Sequence, residues 1–152
     1  MNIPKDYEEF FALLNKEKVR YLIVGAYAMA YHAQPRFTGD IDIFIEVDKT
    51  NAKRLLNAVE KFGFKNSGLT SVDFLKPDQI VQLGYPPLRI DILTSIDGVS
   101  FGIAWERRVR AKFGKQKVWY ISKRDLIRNK KAAGRTRDLL DLELIKTGGK
   151  FR

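Results

Sequence analysis

The sequence predicts an α+β fold, with short apolar strands interleaved among amphipathic helices and a helical C-terminal segment. Three observations lead there. Tyr21-Leu22-Ile23-Val24 is too short and too apolar for anything but a buried strand, and similar runs recur at 41–47, 79–83, 88–93 and 117–121. Between them, apolar residues fall at helical spacing, first as Tyr7, Phe10, Phe11 and Leu14, then as Ala52, Leu55, Leu56, Val59 and Phe62. A content of 45% hydrophobic and 30% charged residues is ordinary for one globular domain spanning residues 1–152.

Taken in order, residues 5–16 form an amphipathic helix that ends in the polar Asn15 to Lys18 turn. The strand 21–24 stops at Gly25, and Ala26 to His32 is helical until Pro35 forbids continuation. A strand at 41–47 precedes a helix that Gly63 closes. Residues 67–78 have no clear period. Strands 79–83 and 88–93 flank the turn Gly84-Tyr85-Pro86-Pro87, and Asp97-Gly98 ends that unit. Residues 100–110 are expected to be helical and 117–121 a strand. Ser122 then caps a helix running to Ala133, with Asp125 placed as in a capping box. Gly134 breaks that helix, and Leu139, Leu142 and Ile145 outline the last one.

No apolar run approaches the roughly 18 residues needed to span a bilayer, and Met1-Asn2-Ile3-Pro4-Lys5-Asp6 lacks the apolar core of a secretory signal. Cysteine is absent, which removes disulfides and thiolate metal sites and by itself leaves the compartment undetermined; with nothing against it, the cytoplasm is the expectation. The net charge of +10 is lopsided. Residues 1–105 hold 12 basic and 13 acidic residues, whereas 106–152 hold 16 and 5. A basic C-terminal portion attracts polyanions such as nucleic acid or a nucleoside triphosphate, although a solvated surface would have the same composition.

The chemistry concentrates in Gly25-Ala26, Asp40-Ile41-Asp42-Ile43 and Asp91 within Arg89-Ile90-Asp91-Ile92-Leu93. Side chains two apart on a strand share a face, so Asp40 and Asp42 point together while Ile41 and Ile43 point away. Paired carboxylates resist joint ionisation unless a cation joins them, and Mg2+ takes carboxylate, water and phosphate oxygens. Gly25, where a strand meets a helix, suits the close approach of a phosphate to backbone N–H groups.

With Val24-Gly25-Ala26, Asp40-Ile41-Asp42-Ile43 and Ile90-Asp91-Ile92 in this order, the chain resembles the minimal nucleotidyltransferase family of the DNA polymerase beta-like superfamily, including its bacterial toxin and antitoxin branches. Arg36-Phe37-Thr38 and Lys130-Lys131-Ala132-Ala133-Gly134-Arg135 before Asp138-Leu139 extend the likeness over most of the chain. The resemblance implies a nucleotidyltransferase fold, a small mixed sheet flanked by helices. It implies that Asp40 and Asp42 bind two Mg2+ or Mn2+ ions, and that Asp91 binds one while accepting the proton of the attacking hydroxyl. Gly25 and Ala26 would hold the NTP triphosphate together with Lys130, and Arg36 and Thr38 would contact it. Ala26 stands where the family usually has Gly or Ser, so a hydroxyl contact to phosphate is lost.

The leading expectation is therefore transfer of a nucleoside monophosphate from an NTP to an acceptor hydroxyl on RNA or tRNA, a protein or a small molecule. For RNA, the expected phosphate contacts are Arg107, Arg108, Arg110, Lys123, Arg124 and Lys131. Two alternatives stay open: a weak or inactive relative that binds RNA or a toxin or antitoxin partner, and a two-metal phosphodiesterase. Lone His32 offers no metal set, and Arg135 and Arg137 beside Asp138 and Asp141 also fit a salt-linked helix face.

Overall fold

The computed structural model describes residues 4–35, 38–85 and 87–147. Its helices are α1 (Lys5–Lys16), α2 (Gly25–His32), α3 (Lys49–Val59), α4 (Phe101–Glu106), α5 (Lys123–Ala133) and α6 (Thr136–Lys146). Its strands are β1 (Tyr21–Val24), β2 (Asp40–Ile45), β3 (Ile80–Tyr85), β4 (Leu88–Leu93), β5 (Val109–Phe113) and β6 (Gln116–Tyr120). The strands form one mixed sheet in the order β3-β4-β2-β1-β6-β5, with β2 parallel to β4 and β1 parallel to β6. This is the expected α+β architecture.

The alternation of β2 decides which side of the sheet is core. Ile41, Ile43 and Ile45 are fully buried, as are Ile23 on β1 and Ile92 on β4, and they share a core with Phe10, Phe11 and Leu14 of α1 and Leu55 and Val59 of α3. Burial of each such side chain contributes about 1.5 to 3 kcal/mol. Asp40, Asp42 and Asp91 lie on the other side, because a strand alternates its faces. Asp48 caps α3 by accepting from the Asn51 N–H at 2.6 Å, and Asn51 ties back to the backbone of Arg20 and Glu46.

Two expectations need correction, at 100–110 and on α6, and one stretch without a clear period gains a structure. The helix expected at 100–110 ends at Glu106, and Val109–Phe113 is instead the edge strand β5. Val109, Ala111 and Phe113 alternate with Arg110 and Lys112, and Gly114 at φ 61° turns the chain to pair with β6. A period of two was present, and tertiary pairing selected it. In the stretch 67–78, Ser71–Phe74 forms a 3-10 turn whose Thr70 and Asp73 cap each other. On α6 the expected apolar face is only partly inward: Ile145 is buried, but Leu139 is 55% exposed while Asp138 and Asp141 are buried.

Candidate active site

β2 and β4 run parallel with Asp42 opposite Asp91 and Asp40 opposite Arg89, so the pleat alone brings the carboxylates to one level of one face. Asp40, Asp42 and Asp91 each present an oxygen within 4.8 Å of the others. On the other flank β1 pairs Val24 with Asp42, which sets Gly25 directly over that carboxylate. Gly25 has φ +66°, and a Cβ there would collide with Asp42 Oδ2. Glycine is thus required twice, by backbone conformation and by the approach of the acid. The helix α2 that starts at Gly25 has no side-chain cap, and its first residues Gly25 and Ala26 line this end of the cleft.

The site contains a cation of its own. Arg89 Nε donates to Asp91 Oδ1 at 2.8 Å, and its Nη2 donates to Asp91 Oδ2 at 3.0 Å and Asp40 Oδ2 at 3.1 Å. No role for Arg89 follows from the resemblance. Its i, i+2 spacing to Asp91 nevertheless places it on the same strand face. Thr38 Oγ1 donates to Asp40 Oδ1 at 2.9 Å, and Thr38 also lines the recess beside Gly25 and Ala26. From below the sheet, the Tyr7 hydroxyl donates to the Arg89 carbonyl at 2.9 Å, and the Arg89 N–H reaches Gly39 O at 3.1 Å, which locks the starts of β2 and β4 together.

Asp42 has no ion pair among the described residues. Burial, then the charges of Asp40 and Asp91, push its carboxyl up to about 6, against the opposing pull of Arg89 and Arg137. Burial also raises Asp91, with the Arg89 hydrogen bonds pulling the other way. Three hard oxygen donors crowded so that one resists ionisation suit a divalent cation, which would return all three to the charged form.

A cavity of about 440 Å³ runs over the three acids, from Gly25 past Ile80, Leu93 and Ile96 to Asn129 and Arg135. A narrower recess of about 150 Å³ adjoins it and is lined by Gly25, Ala26, Thr38, Asp42, Lys130 and Arg137. Lys130 therefore reaches the cleft, but it is 6% exposed and bound by Asp141 at 2.7 Å and Asp138 at 3.4 Å. Arg135 Nε holds Asp138 at 2.7 Å. Burial favours protonated Asp138, but the Arg135 hydrogen bonds and Lys130 outweigh it and keep the carboxyl below its ordinary range. Arg137 lines both cavities and forms no ion pair among the described residues. Arg36 lies outside the described residues.

The six residues expected to meet RNA divide into two groups. Arg107 is paired with buried Asp125 at 3.1 Å. The Arg108 guanidinium lies 3.9 Å from the Trp105 ring centre and 4.6 Å from that of Trp119. Both are engaged inside the protein. Arg110, Lys123, Arg124 and Lys131 are exposed. His32 Nε2 is 2.7 Å from the Ile121 carbonyl and can donate to it, and burial holds the ring's pKa down.

No family profile and no curated protein sequence matches the chain. Among solved structures, it is similar to the lincosamide antibiotic adenylyltransferase LnuA in its lincomycin-bound form, with 15% identity and a TM-score of 0.55 over 97% of this chain and 99% of that one. It is also similar to an antigenic nucleotidyltransferase-like protein from Paracoccidioides brasiliensis, with 18% identity and a TM-score of 0.53 over 92% of this chain and 74% of that one. The fold is that of nucleotidyltransferases.

Proposed function

We propose that the protein is a metal-dependent nucleotidyltransferase that moves a nucleoside monophosphate from an NTP to an acceptor hydroxyl and releases pyrophosphate. The observation that carries this is the convergence of Asp40, Asp42 and Asp91 within 4.8 Å beside the Gly25 turn. Those three residues would hold Mg2+ or Mn2+, which supplies charge stabilisation to a phosphoryl group in flight.

The chain's own groups divide the remaining work. The recess at Gly25 and Ala26, with the start of α2 and Arg137, suits the β- and γ-phosphates by dipole and charge. Arg36 and Lys130 belong to this proposal from the motifs, with Lys130 also anchoring α6 through Asp138 and Asp141. The larger cavity contains Asp91, and its Ile80, Leu93 and Ile96 give the acceptor an apolar shelf. As the acceptor oxygen bonds to the α-phosphorus, its proton passes to an Asp91 oxygen and the bond to pyrophosphate breaks. Arg89 orients Asp91 by two hydrogen bonds.

The motifs propose the bacterial toxin and antitoxin branch, with an acceptor that is RNA, tRNA or a protein in the cytoplasm. No helix among the described residues is long and apolar enough to cross a membrane. The test is incubation with each α-labelled NTP, Mg2+ or Mn2+, and total cellular RNA and protein. Label transferred to a macromolecule by wild type and not by Asp42→Asn supports the reading. Absence of labelled product, with Mg-NTP failing to bind in calorimetry, rejects it.

A further inference from the structure

The β5–β6 hairpin carries a charge arrangement that its own stability does not explain. Its register pairs Arg110 with Trp119 and sets Lys112 directly opposite Lys117, so all four side chains project from one face. Arg110, Lys112 and Lys117 are exposed, and among the described residues none of them forms an ion pair. Like charges directly opposite in an antiparallel pair repel and destabilise the ladder. A solvated edge favours charge, lysine above all, which accounts for Arg110 and Lys112 on the edge strand β5 but not for Lys117 opposite Lys112 on the interior strand β6.

An aromatic ring sits among these cations. Trp119 is half-buried, with Lys117 Nζ 5.1 Å from its ring centre and the Arg108 guanidinium 4.6 Å from it. Arg108 in turn lies against Trp105, and Arg20 lies 5.4 Å from the Trp105 ring. Arg108 is held by these rings and Arg20 pairs with Glu46. Among the described residues of this face, the cations free to attract phosphate are therefore Arg110, Lys112 and Lys117, and beside Trp119 they supply the charge and the stacking platform that single-stranded nucleic acid requires. Tyr120 pairs with Ile23, whose own partner Ile43 faces the core. Trp119, one residue away, therefore shares the sheet face of Asp42 and Asp91.

We infer that this face of the β5–β6 hairpin docks single-stranded RNA. Phosphates meet Arg110, Lys112 and Lys117, and an unstacked base lies on Trp119 once the Lys117 chain lifts from it. A single strand is favoured over a duplex because a base can reach the indole only when it is free of its own stack, and such bases occur in RNA loops and ends. Sheet order places β6 and β5 two and three strand spacings from Asp42 on β2, about 10 and 14 Å at the usual separation, and Lys117 lies three residues further from the cleft than the Tyr120–Ile23 pair. The docking face is thus separate from the carboxylate cleft and binds without NTP or metal.

The test measures anisotropy of a labelled single-stranded oligouridine of about a dozen nucleotides, without nucleotide or metal, as salt is varied. Wild type is expected to bind with a log–log salt slope of about −2, from three contacts at roughly 0.7 each. Lys112→Gln combined with Lys117→Gln should lower affinity at least about tenfold and flatten the slope by about 1.4. The same double variant should melt no earlier than wild type, because neutralisation relieves the cross-strand repulsion. Trp119→Phe should weaken binding severalfold; should it disturb the Arg108 stack, the exposed lysine pair still decides the matter. Wild type that does not bind at low salt, a double variant with unchanged affinity and slope, or equally tight binding of duplex RNA of the same length overturns the proposal. None of these readouts depends on nucleotidyl transfer.

Discussion

Two groups of aspartates, one lining the cleft and one buried behind the Lys130 and Arg135 that line it, are treated in opposite ways. Asp138 and Asp141 are almost wholly buried, but Lys130 and Arg135 stand against them, so two carboxylates meet two cations. Asp40, Asp42 and Asp91 are three carboxylates of which, among the described residues, Arg89 bridges two, and the one it does not bridge, Asp42, is the one pushed up to about 6. The first group is complete in charge and joins α5 to α6. The second is short of positive charge, as a site must be if a cation is to enter with its ligands already placed.

The contrast between the two aspartate groups depends most heavily on Lys130. Lys130→Met removes the cation that both buried acids share, and removing one partner of a buried ion pair costs about 3 to 5 kcal/mol. Chemical denaturation should show that loss directly. A variant as stable as wild type would mean that the α5–α6 cluster does not depend on Lys130, which would return its charge to the nucleotide.

Gly25→Ala comes next. Its backbone stands at φ +66° and the new methyl meets Asp42, so a loss of about 2 to 3 kcal/mol is expected together with displacement of the carboxylate. Divalent-metal affinity, followed by calorimetry on folded variant, should fall with it. Retained affinity would show that Asp42 can be moved without harm.

Asp42→Asn should act on stability in the reverse direction while abolishing transfer. A carboxyl whose folded pKa lies above its unfolded value makes the native state bind more protons, so metal-free wild type loses stability as pH rises from about 4 to 6. The loss is on the order of 1 to 2 kcal/mol, and the asparagine variant should lack it. Metal should bind weakly below about pH 6 and restore wild-type stability above it. Parallel pH curves for wild type and variant, measured by thermal melting without metal, would contradict the charge deficit.

The smallest effect is expected at Leu139. It is 55% exposed on α6, whose inward positions are occupied by Asp138 and Asp141, so Leu139→Lys should change stability by no more than about 0.5 kcal/mol. A melting shift of several degrees would show that this leucine is covered by another surface in solution.

Local covalent pattern was enough to read much of this site. The i, i+2 spacing of Asp40 and Asp42 determines a shared face whatever the sheet order, and the apolar run before Gly25 determines a strand ending there. The same spacing made Arg89 available as a neighbour of Asp91, though its bridge to Asp40 requires β4 to lie parallel beside β2 in one register. Strand order is a long-range choice that no local period encodes. The edge strand β5 was legible only as an alternation of Val109, Ala111 and Phe113 that a helix can also bear, until pairing with β6 selected it. For α6, spacing identified the helix and its buried Ile145, but it ranked leucine as inward and aspartate as outward. The arrival of Lys130 from α5 and of Arg135 at the helix start supports burial of Asp138 and Asp141, because an acid leaves water when fixed countercharges replace its hydration, and those come from tertiary structure.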